Sequence, residues 1–274
     1  MILTAGAAPI FLTKNYINTD VITAKVPGIF TATTMQAIAP RILDMDPFAY
    51  WQGSVEDDTI SETVDIELYE GEAQALRTDI GLLALLNTNF KDFTVALSSD
   101  GGATFHTTYT VTGNTAANWI SDISAAPKSA NFIRITATKT IVANAAKKLG
   151  TAVAAGLLKQ MTAIPVNPIS QDDKKNKRVL TMADGSKDIS YIKRSAASNS
   201  FYSASFKFKQ VTYAEILELQ AMDRDNPAFL FYPEPGDKAG EIFYSHFTSS
   251  FKITPTSDYK GAGYDLGFAV EEIG

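Results

Sequence analysis

The side chains able to do chemistry in this chain are few. It has 274 residues, no cysteine and two histidines, His106 and His246. Disulfides, thiolate nucleophiles and thiolate metal sites are therefore excluded, and most general-base, triad and transition-metal schemes lose their usual donors. With no third ligand beside it, each histidine reads as a half-buried strand residue. Carboxylates remain. Asp44 and Asp46, or the adjacent Asp57 and Asp58, offer the hard oxygen donors that calcium takes, although their spacing is not that of an EF-hand loop. No other cofactor is implied. Asp223 and Asp225 could be drawn as an acid/base pair. They fall at the C-terminal end of a helical pattern, where the dipole disfavours negative charge, so pairing with Arg224 or plain solvation is the simpler account. The aromatics point to another chemistry. Tyr50 with Trp51, and Trp119 in Asn118-Trp119-Ile120, could present flat apolar faces to a pyranose ring; the bland place for either tryptophan is the core. Gly101-Gly102 and Gly261-Ala262-Gly263 open no helix, supply no phosphate-binding amides, and read as turns.

The totals narrow the partners. Net charge is −6 and no basic block is long enough to track a phosphate backbone, so nucleic acid is not expected. No run approaches the ~18 apolar residues of a membrane span, so membrane insertion is not expected either. The first residues lack the basic start and apolar core of a secretory signal, and the missing cysteines fit synthesis in a reducing cytosol.

The elements that must position these residues are mostly strands. Val64-Asp65-Ile66-Glu67-Leu68 alternates with period two, and Ala84 to Ser98 carries Leu85, Leu86, Phe90, Phe93, Val95 and Leu97. Ser99-Asp100-Gly101-Gly102 is a turn, Thr107 to Thr112 resumes the alternation, and Asn131 to Thr138 supplies a further strand. The alanine-rich segment 141–164 suits a helix by propensity, but Gly150 and Gly156 each cost about 1 kcal/mol there, which favours strand. Residues 165–178 carry Pro165, Pro168, Lys174, Lys175, Lys177 and Arg178, and read as a linker or solvated loop, or as an arm between subunits. Arg178 to Met182 and Lys187 to Ile192 flank an Asp-Gly hairpin tip. Phe206 and Phe208 alternate with Lys207 and Lys209, then Thr212-x-x-Glu215 is a capping box opening a helix over about 213–225. Asn226-Pro227 stops it, and 228–232, 241–251 and 264–272 return to strand.

Two resemblances follow. Leu85 to Val95 with its Asn87-Thr88-Asn89 corner, the Ser99-Asp100-Gly101 turn, Asp46 to Trp51, Asn131 to Ile135 and Lys148 to Gly156 resemble the galactose-binding-like (discoidin, F5/8 C-type) jelly roll. The block Phe206 to Lys209, Thr212 to Asp225, Phe229 to Tyr232 and Asp265 to Glu272 is similar to distal-tail-type domains of bacteriophage tails and baseplates. Together they imply a mainly β protein: an N-terminal galactose-binding-like jelly-roll β-sandwich over 1–164, then a β-rich tail-type domain over 179–274 with one short helix. The second resemblance implies a structural, non-catalytic virion component, made in a host cytoplasm. It would form a homo-oligomeric ring through strand edges, with neighbouring tail proteins as partners. The alternative is a carbohydrate-binding module of a cell-surface adhesin, with glycans as partners.

Overall fold

The computed structural model describes residues 8–13, 15–17, 30–32, 50–70, 73–166, 170–171, 174–175, 177–181, 187–191, 200–201, 203–226, 228–233, 242–248, 250–256 and 263–272. The chain is mainly β with one helix among these residues, and it divides into two compact units. The first spans Thr13–Leu157; the second takes Ile10–Leu12 together with the strands and helix that follow Leu158. The sequence boundary at 164 put the first twelve residues with the jelly roll. Ile10–Leu12 instead pairs antiparallel with Phe229–Tyr232, more than two hundred positions away, a contact no local pattern can announce.

The first unit is a two-layer sandwich. One sheet runs Phe30–Ala32, Glu62–Glu67, Phe132–Thr140, Phe90–Ser98, Thr107–Val111. In the other, Arg77–Leu86 is paired by Trp119–Asp122, by Lys128–Ala130 and by the Thr151–Gln160 strand. Alternation explains the packing. Val64, Ile66, Phe93, Val95, Ile133 and Ile135 point inward from the first sheet to meet Ile80, Leu83, Leu85, Ala152 and Ala154 of the second in one buried cluster. Of the alanine-rich segment 141–164, Lys148–Leu149 and Thr151–Gln160 are strand and the rest is turn or irregular; Thr151 to Gly156 is buried, and its small side chains fill that slot.

The second unit packs the helix Tyr213–Asp225 against a phenylalanine-lined sheet. Ile216, Leu219 and Met222 meet Phe206, Phe208, Phe229, Phe231 and Phe268, with Phe11 contributed by the N-terminal strand. Thr212 caps the helix by accepting the Glu215 amide at 3.2 Å. The reciprocal half of the expected capping box goes elsewhere. Glu215 is buried and its carboxylate accepts the Thr162 amide at 2.8 Å and hydroxyl at 2.7 Å, tying the helix start to the segment after Thr151–Gln160.

Within the charged stretch read as a linker, the described residues from Ser170 on are strand in their backbone. Ser170–Gln171 pairs with Ala204 and Ser205, and Lys174–Lys175 pairs with Ser200–Phe201. Lys177–Thr181, which contains Arg178, pairs with Lys187–Tyr191. Composition marks which side chains are soluble, whereas strand formation is decided by backbone partners, and those came from residues up to 35 positions away.

Candidate functional site

One short strand sorts the aromatic candidates. Trp51–Gln52 pairs with Lys148–Leu149, Trp51 opposite Leu149 and Gln52 opposite Lys148. Tyr50 immediately precedes this strand, and the two aromatics meet different surroundings. Trp51 is the one turned inward, at 0% exposure in the sandwich core, and it therefore offers no stacking face. Trp119 is corrected for the same reason. It opposes Leu85, is 7% exposed, and packs edge-on against Phe93 with ring centroids 5.5 Å apart. Tyr50 alone of the three lies partly open.

Around Tyr50 the chain builds a polar row. Gly150 follows the paired Lys148–Leu149, and its amide donates to the Asn87 carbonyl at 3.1 Å. The Asn87 amide in turn donates to the Asn118 side-chain oxygen at 2.9 Å. Asn87 holds φ 53°, a left-handed conformation that asparagine tolerates better than most residues. Gly150 is required by space: a Cβ there would stand 2.7 Å from the Asn87 Cβ and 3.0 Å from the Leu86 carbonyl. Lys148 occupies the diagonal position and places its ammonium 5.3 Å from the centre of the Tyr50 ring. The neighbouring corner is latched to the same strand. Thr88 donates to the Lys148 carbonyl at 2.8 Å, and Asn89 accepts the Lys148 amide at 2.7 Å while donating to the Ala146 carbonyl at 2.8 Å. The row thus sets an aromatic ring beside a cation on a frame held by these hydrogen bonds. That set suits hydrogen-bonding recognition of a polyhydroxylated ligand. Sequence reading found Tyr50 but not Lys148, Asn87 or Asn118. The available signal was position, because Asn118 precedes a buried tryptophan as Tyr50 does.

The carboxylate candidates separate as well. Asp44 and Asp46 lie outside the described residues. Asp58 is already saturated: Thr140 donates its amide and hydroxyl to one oxygen at 3.1 and 3.0 Å, and the Asn144 amide reaches the other at 3.1 Å. Lys147, fully buried, donates to the Asp57 carbonyl at 2.9 Å and stands 4.0 Å from Asp58. A lysine ammonium thus fills the cation position at this pair, and the expectation of calcium on Asp57 and Asp58 is corrected. Burial pushes the Asp58 carboxyl up, but the Asn144 and Thr140 hydrogen bonds and the Lys147 charge outweigh it and hold it below the ordinary value. No cluster of three potential metal ligands occurs among the described residues.

The remaining candidates lie apart from the row. Asp225 accepts a forked pair from Arg224 at 2.8 and 3.2 Å. His106 is exposed and precedes its strand, in contact with the Thr107 hydroxyl at 3.0 Å, so it is not the half-buried strand residue expected. His246 is half-buried within Phe243–Phe247. Gly101 and Gly102 hold φ 72° and 89° in a turn built on Ser98 and Asp100. No described helix is long and apolar enough to cross a membrane.

No protein-family model matches the chain, and no curated protein is significantly similar to it in sequence. Among solved structures, a selenomethionine-labelled point mutant of chitosan-binding module 1 from a Paenibacillus sp. IK-5 chitosanase/glucanase is 15% identical. It covers 52% of this chain and 98% of its own, with a TM-score of 0.39. A Streptococcus pneumoniae fucose-binding module is 13% identical over 53% of this chain and 96% of its own, with a TM-score of 0.38. The family 32 carbohydrate-binding module of C. perfringens NanJ, solved with galactose, is 16% identical over 46% and 91%, with a TM-score of 0.37.

Proposed function

We propose that this protein is a non-catalytic glycan-binding protein, and that its sandwich unit takes saccharides on the row formed by Tyr50, Lys148, Asn87 and Asn118. The observation that carries the reading is the contrast between Tyr50 and Trp51. The tryptophan is turned into the core, while the tyrosine ring stays partly open beside the Lys148 ammonium, on a strand latched to the Asn87-Thr88-Asn89 corner. The test is a screen of immobilised glycans with the full chain and with Tyr50→Ala. The wild type is expected to give a reproducible glycan class. The variant is expected to lose that class by ~tenfold or more while keeping its melting temperature, as follows when an aromatic contact worth about 1.4 kcal/mol is removed. Absence of binding across the screen, or binding untouched in Tyr50→Ala, refutes the reading.

A second reading concerns assembly, and rests on the hairpin Lys177–Thr181 with Lys187–Tyr191. It forms a two-stranded sheet of its own, joined by no third strand among the described residues. Such a hairpin is marginal in water, and its open edges template further pairing. In this reading Lys174, Lys175, Lys177 and Arg178 belong to an arm that docks on another copy, and copies close into a ring. A virion tail or baseplate is the assembly it names, with neighbouring tail proteins as further partners.

A further inference from the structure

We infer that the Tyr50 row selects anionic glycans, those carrying a carboxylate or sulfate, over neutral and cationic ones; the inference deepens the glycan-binding reading and rests on it. The ground is the charge state of the row. Three cations of the sandwich are matched by carboxylates. Arg134 lies on Asp65 at 2.7 Å, Lys139 on Asp92 at 3.1 Å, and Lys147 is buried against Asp58 and the Asp57 carbonyl. Lys148 differs. It is half-buried, its ammonium stands 5.3 Å from the centre of the Tyr50 ring, and no carboxylate of the described residues lies within ion-pair distance of it.

Position makes that charge available to a ligand. Both peptide groups of Lys148 are held, the amide by Asn89 and the carbonyl by Thr88, so the backbone beneath the side chain is fixed. Gly150, two residues on, packs its bare Cα against Asn87 and donates its amide to the Asn87 carbonyl, which holds the end of the strand in place. A saccharide laid against the Tyr50 ring meets the Lys148 ammonium beside it. A carboxylate or sulfate on that saccharide gains a charge-assisted hydrogen bond. An aminated sugar meets a like charge instead, in a place partly shielded from solvent.

The experiment is calorimetric titration of the full chain with three oligosaccharides of matched length: an oligogalacturonate, a neutral galacto-oligosaccharide and a chitosan oligomer. Each is run against wild type, Lys148→Gln and Tyr50→Ala. The oligogalacturonate is expected to bind ~tenfold more tightly than the neutral oligomer, the ratio one charge-assisted contact supplies. Raising the salt from about 50 mM to about 300 mM should shrink that ratio. Lys148→Gln should abolish the ratio, lowering affinity for the oligogalacturonate by ~tenfold more than affinity for the neutral oligomer, and Tyr50→Ala should weaken both. A chitosan oligomer that binds best, or an acid preference unchanged in Lys148→Gln, overturns the charge inference and leaves glycan binding standing. No heat with any of the three, confirmed by an empty glycan screen, removes both.

Discussion

Lys147 takes a full charge into the interior of the sandwich and shows how single residues there are constrained. Its stem is wholly buried, and its ammonium binds the Asp57 carbonyl and faces Asp58, so the loop before Glu62–Glu67 is tied to the loop after Phe132–Thr140. Removing one member of such a set strands the other. Lys147→Met is therefore expected to cost about 3 kcal/mol, read as a fall in the urea midpoint at unchanged slope. A midpoint within error of wild type would mean that the ammonium is replaceable. The same network fixes a pH response. The Asp58 carboxyl is held below its ordinary value, and so is that of Asp100, through the Ser98 hydroxyl and the Thr104 hydroxyl and amide. A depressed carboxyl stabilises the fold above its unfolded value, near pH 3.9, and that contribution is lost as the pH falls through the folded one. Stability should decline below about pH 4, less steeply in Asp58→Asn; an identical acid limb in both proteins would contradict the assignment. Residue types showed where chemistry was absent, since two histidines and no cysteine are plain from the chain. They did not show which aromatic faces out, because Tyr50 and Trp51 are adjacent and only the register with Leu149 decides between them.

At the scale of elements, periodicity carried most of the information. The helix after Thr212 begins and ends where its cap and Asn226 place it, and the strands with alternating Phe206, Phe208 or Ile133, Ile135 are where the pattern puts them. Two features were hidden for physical reasons. Glu215 satisfies Thr162 rather than the helix start, a choice made by tertiary packing. Ser170–Gln171, Lys174–Lys175 and the strand that begins at Lys177 are paired backbone, which side-chain polarity cannot reveal. Thr212→Ala removes the cap and should cost about 1 kcal/mol. Gly150→Ala tests the element that carries the row. Its new methyl meets the Asn87 Cβ and the Leu86 carbonyl, so the strand must shift at a cost of roughly 1–3 kcal/mol, with the Tyr50 to Asn87 spacing altered. A melting temperature equal to wild type would show that the corner gives way freely.

For the whole molecule, sequence reading captured the mainly β class and the sandwich, while the division of the chain escaped it. Ile10–Leu12 belongs with the second unit through a pairing that spans most of the sequence. Assembly belongs to this scale too. Light scattering on the purified full chain is expected to report a multiple of the 29.6 kDa protomer, reduced to the protomer mass when residues 177–191 are deleted. A wild-type protein that is monomeric at high concentration contradicts the hairpin reading. The central claim, that the Tyr50 row is where saccharides bind, is tested most directly by amide chemical-shift mapping of the full chain during titration with the oligogalacturonate and with the neutral galacto-oligosaccharide. The account predicts saturable shifts that cluster at Tyr50, Asn87, Asn118, Lys148 and Gly150 with at least one of the two. Shifts centred on another part of the chain, or none with either saccharide, would contradict it.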